Sequence, residues 1–305
     1  MLITRHSERM NRICLNVLIG IPASGKTTYC AQIEKAASDQ FSVVHVCYDT
    51  YVPIDTQYDQ FRDEAGSYKR HRQQLLSSVE AIILSILGSD RQTLERLLQD
   101  WIREFKQPLK LPNTLLNSKD YLFLIDDNMY YRSMRMEWLQ VARRRSLGFF
   151  ETFFNVPLEL ALRRNQSRER SVPEETIRRM WMRLEKPCGE MYGWEKKSIS
   201  IEGTLDDLSE VLSMVSHSFE KPEKMIDAPS SSTPMEQSVI HQIDLLLRKA
   251  ISERMATAKS SMSKSDLRAF AAVLQERKLD LLKRLRNGGE VIAEDRVQFV
   301  ADALL

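Results

Sequence analysis

The run Leu15-Asn16-Val17-Leu18-Ile19-Gly20-Ile21-Pro22-Ala23-Ser24-Gly25-Lys26-Thr27-Thr28-Tyr29-Cys30-Ala31-Gln32-Ile33-Glu34-Lys35-Ala36-Ala37 decides how the rest of the chain is read. An apolar strand leads into the spacing G-x-x-x-x-G-K-T, and a helical pattern follows it. Glycines let the backbone curl so that its N–H groups point inward, and the helix behind them turns its positive end toward phosphate. In such a loop Lys26 reaches the terminal phosphates of a nucleotide and the Thr27 hydroxyl helps to hold Mg²⁺. The same letters can arise as a Gly-containing turn that happens to precede a Lys. The strand before and the helix after favour the phosphate loop. Its nucleotide-binding residues are expected to be Gly20, Ile21, Pro22, Ala23, Ser24, Gly25, Lys26, Thr27 and Thr28.

Outward from this loop the chain alternates between short apolar runs and helical patterns. Phe41–Cys47 reads as a buried parallel strand that ends at Tyr48-Asp49, and Tyr121–Ile125 as another, running into Asp126-Asp127-Asn128. Phe149–Asn155 and Ser198–Glu202 supply two more. Amphipathic stretches at Tyr68–Leu87, Arg91–Phe105, Ser133–Arg145, from Pro157, from Pro173 and over Leu205–Phe219 lie between and after them. The order predicts an α/β domain with a parallel, helix-flanked sheet.

Open α/β sheets carry their working residues beyond the carboxyl ends of the strands, which puts Asp49 and Asp126 on one rim with the phosphate loop. At Asp49 a carboxylate can orient and deprotonate a hydroxyl that attacks a γ-phosphate, although Asp is equally at home as a helix or turn cap. A hydrophobic strand ending in Asp is the pattern of a Walker B element, so Asp126 joins Thr27 as an expected metal ligand. Asp127 and Asn128 fall on the same rim without fixed roles. His45, inside its strand, reads as a satisfied core histidine.

The run Arg163-Arg164-Asn165-Gln166-Ser167-Arg168-Glu169-Arg170 offers two guanidinium groups four residues apart, Arg164 and Arg168, which face the same way if the helix persists. Planar guanidinium groups suit phosphate oxygens, while a solvated charged face is the commoner use of such a run. Arg164 to Pro187 has the composition of an Arg-rich helical lid.

With 305 residues the chain has room for one large or two ordinary domains, and a net charge of +2 says little about partners. Local charge says more. After the linker-like Asp227-Ala228-Pro229-Ser230-Ser231-Ser232-Thr233-Pro234, the segment Arg248–Arg286 holds eleven Lys or Arg against four Asp or Glu. That excess suits a nucleic-acid backbone, and also the basic face of a solvated helix. Val239–Met255 and Ser265–Leu285 within this tail are helical by period. Cys14, Cys30, Cys47 and Cys188 lack C-x-x-C spacing and metal-type His neighbours, the pattern of reduced, mostly buried thiols. Residues 1–12 have no signal-peptide core and no run reaches membrane-spanning length, so a soluble, cytoplasmic protein is expected.

Four stretches resemble the phosphoseryl-tRNA kinase family: the loop Gly20–Thr27; Asp126-Asp127-Asn128-Met129-Tyr130-Tyr131-Arg132-Ser133-Met134-Arg135; Arg164 and Arg168 after Pro157-Leu158-Glu159; and Leu184-Glu185-Lys186-Pro187. The second of these is far more specific than the phosphate loop. The resemblance implies a P-loop kinase domain over 1–219 with a lid at about 164–187, a linker at 220–235, and a smaller all-α tRNA-binding domain at 236–305. It implies ATP and Mg²⁺ as cofactors and the seryl group of seryl-tRNA(Sec) as acceptor. Asp49, Lys26, Arg164 and Arg168 are then the catalytic residues and Thr27 and Asp126 the metal ligands, with the tRNA on the basic tail. A homodimer is compatible with the sequence, which does not fix the oligomeric state. After Asp49 this chain reads Thr50-Tyr51-Val52-Pro53, where some members of that family place an Arg three positions on, and its insertion around residues 88–118 is longer than in compact members.

Two other readings share parts of this pattern. A Kti12-like regulatory ATPase has the phosphate loop, a related lid and a tRNA-associated tail, and would hydrolyse ATP without phosphorylating serine. A small-molecule or polynucleotide-end kinase with an unrelated helical tail would work without everything after Phe219.

Overall fold

Strand β1 (Arg12–Ile19) is buried along nearly its whole length because it sits mid-sheet with side chains packed on both faces. The structure is a computed structural model and describes residues 11–37, 40–52, 67–111, 120–190, 192–203, 207–225, 234–259 and 261–286. Helix α1 (Lys26–Ala36) follows the phosphate loop, and β2 (Ser42–Cys47) runs directly into the one-turn helix α2 (Tyr48–Tyr51). Helices α3 (Ser67–Leu87) and α4 (Arg91–Phe105) come before β3 (Asp120–Asp126). The chain continues through α5 (Arg132–Arg145), β4 (Gly148–Phe154), α6 (Leu158–Gln166) and α7 (Glu174–Arg183). A 3₁₀ turn (Gly193–Lys196), β5 (Ser198–Ile201) and α8 (Ser209–Glu220) complete this part.

The strands form one five-stranded sheet in the order β2-β3-β1-β4-β5, and every neighbouring pair is parallel. From β1 the chain goes out to the edge at β2, returns to β3, then crosses β1 to reach β4. The carboxyl end of β1 is therefore the point where the winding reverses, and the phosphate loop lies there, as the crevice rule for open α/β sheets requires.

Strand alternation assigns the two cores. Ile13, Leu15, Val17 and Ile19 of β1, with Tyr121, Phe123 and Ile125 of β3, pack under α3, α4 and α5. Cys14 and Leu18, with Leu122 and Leu124, face α1, α6, α7 and α8 on the other side. The insertion between β2 and β3 is thus core-forming where it is described: Leu75, Val79, Ile82, Ile83 and Ile86 of α3 are buried at helical spacing. Asp90 caps α4 by accepting from Thr93 N at 2.9 Å. Residues 112–119 of that insertion lie outside the described residues.

The chain divides into two compact units, Met1–Ile226 and Asp227–Leu305. The Pro- and Ser-rich stretch expected as a linker falls largely on residues 226–233, outside the described residues. The second unit is a helix hairpin of α9 (Pro234–Ala258) and α10 (Lys264–Arg286), held by buried Leu247, Ile251, Leu274 and Leu281. Ser263 caps α10, its hydroxyl accepting from Asp266 N at 3.2 Å. Among the described residues no helix is long and apolar enough to cross a membrane.

Candidate functional site

Gly20 ends β1, and its N–H donates to Asn128 O at 3.0 Å, tying the loop to the end of β3. A Cβ on Gly20 would meet Ser24 Oγ at 2.6 Å and Phe154 Cβ at 3.0 Å, so only glycine fits beneath the loop. Gly25 closes the turn at φ 106°, and the small Ala23 also takes a positive φ of 63°. Positive φ at a non-glycine residue is the kind of local strain that clusters at ligand-binding loops.

Lys26 Nζ folds back over the loop and donates to Gly20 O at 3.0 Å, Ile21 O at 3.0 Å and Asn128 Oδ1 at 3.2 Å. Burial pushes its pKa down, against the pull of Asp126, Asp49 and Asp127. Ile21, Pro22 and Ala23 are buried in the loop, whereas Thr27 and Thr28 are exposed at its mouth. The Ser24 hydroxyl is buried and has no hydrogen-bond partner among the described residues. An orphaned hydroxyl in a glycine-shaped cradle beside an ammonium group fits a phosphate. Thr27 Oγ1 lies 3.3 Å from Asp126 Oδ2, and that hydroxyl–carboxylate pair is an oxygen donor set suited to Mg²⁺.

Asp49 sits in α2, immediately past β2, and Cys47 pairs in register with Asp126 on the neighbouring strand. Its pKa is raised, first by confinement among protein atoms and then by the neighbouring Asp127 charge, while Lys26 and Arg168 draw it down. Water reaches the Asp49 carboxylate, which moderates the first cause; the adjacent acids keep the direction upward. Asp127 is turned inward to pair with Arg72 of α3, a buried guanidinium that also stacks 4.8 Å over the Tyr48 ring.

Arg164 Nη2 donates to Gly203 O at 3.3 Å, and its Nη1 lies 3.5 Å from Ser24 O. Arg164 and Arg168 line one cavity of about 480 Å³ with Gly25, Thr28, Gln32 and Phe154. They do not share a helix face: α6 ends at Gln166, and Arg168 lies in the bend beyond it. Asn165 makes that bend, its Oδ1 accepting from Val172 N at 2.9 Å and its Nδ2 donating to Val172 O at 2.8 Å. The helix does not persist, yet the turn returns Arg168 to the cavity.

The motif Tyr130–Arg135 acts as a clasp rather than as part of the rim. Arg132 N donates to Glu185 Oε2 at 2.6 Å, and Glu185 N to Tyr130 O at 2.8 Å, so the segment after α7 is stitched to the start of α5. Arg135, fully buried, pairs with Glu151 at 3.1 Å and Glu195 at 2.6 Å. Glu195 also pairs with Arg132 at 2.9 Å and accepts from Cys188 N at 2.7 Å. The Lys186 and Glu185 of the L-E-K-P stretch thus mark the anchored root of the α6–α7 excursion.

The family model described as "AAA domain" matches residues 15–187, and that described as "Chromatin associated protein KTI12" matches residues 113–288. The chain belongs to both families. Its similarity to "L-seryl-tRNA(Sec) kinase" of Mus musculus is 29% identity, over 91% of this chain and 86% of the relative. The protein of that name from Homo sapiens is 29% identical over 81% of this chain and 79% of its own. Among solved structures, Chaetomium thermophilum Kti12 in complex with ADP-AlF3 is 18% identical, covers 68% of this chain and 98% of its own, and gives a TM-score of 0.45.

Within this AAA-domain site the sequence reading missed Arg72 and Asn165 and left Asp127 and Asn128 without roles. Arg72 carried a signal. It stands four residues after Tyr68 and three before Leu75 on the apolar stripe of α3, where a charged side chain needs a buried partner. Helix α8 starts at Ser209, with Asp207 accepting from Ser209 N at 2.8 Å just before it, and the expected start at Leu205 lies outside the described residues. His45 is half-buried, its Nε2 3.1 Å from Asp126 Oδ2, and the fold brings it beside Cys30, a proximity that cysteine spacing did not show.

Proposed function

We propose that this chain transfers the γ-phosphoryl group of ATP to the seryl hydroxyl of seryl-tRNA(Sec), giving O-phosphoseryl-tRNA(Sec) and ADP for selenocysteine synthesis in the cytoplasm. The observation that carries the reading is the convergence of Lys26, Asp49 and Arg168 within electrostatic reach of one another at the phosphate loop. The relatives over most of the chain bear the name of that kinase.

A primary alcohol is a poor nucleophile, and Asp49 supplies the base. Its raised pKa lets the carboxylate accept the seryl proton as the new oxygen–phosphorus bond forms and the bond to ADP breaks. Lys26 and the loop N–H groups hold the phosphate oxygens, and Arg164 and Arg168 neutralise charge on the transferred group. Thr27 and Asp126 would hold Mg²⁺, which when bound offsets the negative charge of the β- and γ-phosphates. Positioning and charge relief do most of the catalysis in such a site. The helical unit, with its excess of Lys and Arg over Arg248–Arg286, would grip the tRNA by its phosphates and shape.

The test is to incubate the full chain with ATP and seryl-tRNA(Sec) or seryl-tRNA(Ser), hydrolyse the ester and look for phosphoserine. Phosphoserine from the first RNA is expected. Phosphate release with no phosphoserine from either RNA overturns the reading in favour of a regulatory ATPase, the alternative raised by the KTI12 match over residues 113–288.

A further inference from the structure

Behind the phosphate loop, three elements bring together side chains that the phosphoryl-transfer reading does not use together. Cys30 lies on the inner face of α1, His45 on β2 and Asp126 at the end of β3. One ligand atom from each, Cys30 Sγ, a His45 ring nitrogen and an Asp126 carboxylate oxygen, lies within 4.8 Å of the other two. We infer that these three residues form a binding site for a thiophilic divalent cation of the Zn²⁺ class, sharing Asp126 with the phosphate rim.

The donor set is selective. A thiol sulfur beside an imidazole suits Zn²⁺ or Co²⁺ and is foreign to Mg²⁺, which takes oxygen. Bonds of about 2.0 to 2.3 Å to a tetrahedral ion place ligand atoms roughly 3.3 to 3.8 Å apart, so closure needs side-chain movements of about 1 Å. The imidazole sits between two carboxylates, its Nδ1 3.5 Å from Glu34 Oε1 and its Nε2 3.1 Å from Asp126 Oδ2. Metal binding at Nε2 requires the ring proton to sit on Nδ1, toward the Glu34 carboxylate, in place of the Nε2–H that donates to Asp126. Three protein ligands leave a fourth position open; beside them the His45 side chain is 12% exposed and that of Glu34 47%.

On binding, the Cys30 sulfur–hydrogen bond breaks, its proton leaves to solvent and the thiolate takes the metal. The thiol is fully buried, and the charge of a bound cation stabilises its thiolate. Asp126 Oδ2 is also the oxygen nearest the Thr27 hydroxyl, at 3.3 Å. Zn²⁺ bound there competes with the use of Asp126 at the phosphate loop, so the site would silence the rim when occupied.

Titration of the full-length, Mg²⁺-free protein with Co²⁺, followed by optical absorption, tests this without ATP or RNA, so failure of phosphoryl transfer leaves the result readable. Wild type is expected to give thiolate-to-cobalt charge transfer and tetrahedral d–d bands that Zn²⁺ abolishes by displacement. Cys30→Ser should lose the charge-transfer band, and Cys47→Ser should keep it. Glu34→Gln, a change at an exposed position that leaves the core untouched, should weaken Co²⁺ about 10- to 100-fold. The inference is overturned by a wild type with no thiolate band, by a band that survives in Cys30→Ser or disappears in Cys47→Ser, or by unchanged affinity in Glu34→Gln.

Discussion

The phosphate rim and the arginine–glutamate brace at the root of the α6–α7 excursion are made from the same kinds of residue and are used in opposite ways. At the rim, Lys26 donates its hydrogen bonds to neutral carbonyl and amide oxygens, Asp49 faces water, and Ser24 Oγ has no partner among the described residues. In the brace, Arg132 and Arg135 are ion-paired with Glu151, Glu185 and Glu195, and Arg135, Glu151 and Glu195 have fully buried side chains. The rim keeps binding capacity for a ligand. The brace consumes its own, and converts a chain of buried charges into a fixed geometry for the segment that follows α7.

The contrast predicts that brace variants lose stability and rim variants lose chemistry. Arg135→Met leaves buried Glu151 without its cation and takes one of two from buried Glu195, and should lower the unfolding free energy by about 3–5 kcal/mol, read from the urea midpoint. Lys26→Ala should reduce kcat for phosphoserine formation by about 10²- to 10³-fold while shifting stability by less than about 1 kcal/mol. A larger stability loss in Lys26→Ala than in Arg135→Met would erase the distinction. With Asp49 as the proposed base, Asp49→Asn should reduce kcat about 10²-fold and remove the acid limb of the pH–rate profile, a limb expected above the usual carboxylate range because the Asp49 pKa is raised.

The smallest effect sharpens the comparison through pH. Burial raises the Glu151 pKa to about 7 from 4.5, with Arg135 opposing the shift. Between those values the folded state holds a proton that the unfolded state has released. Its stabilising contribution is complete below pH 4.5 and is lost as pH rises through about 7. Wild type should therefore lose on the order of 1–3 kcal/mol over that window, and Glu151→Gln should flatten the dependence of the urea midpoint on pH.

Local patterns carried most of the fold. The strands were legible because parallel strands buried on both faces read as unbroken apolar runs, and α4 because its amphipathic stripe marks it out. Gly20, Gly25, Lys26 and Thr27 were legible because a phosphate loop is built from consecutive residues, whose spacing is itself the geometry. Arg168 was found for a partly mistaken reason: its spacing from Arg164 suggested one helix face, and Asn165 produces the same convergence through a turn.

The sequence by itself determined the order of strands and helices, the loop that faces phosphate, and the acids that end β2 and β3, since each depends on neighbours within a turn or a strand. Only the tertiary structure decided that Asp127 turns inward to Arg72, that Arg135 joins Glu151 to Glu195, and that Cys30 meets His45. Those pairings join residues 15 to 60 positions apart on different elements. A buried charge is stabilised by whichever opposite charge the packing brings within a few ångströms, and no local spacing encodes which one that will be.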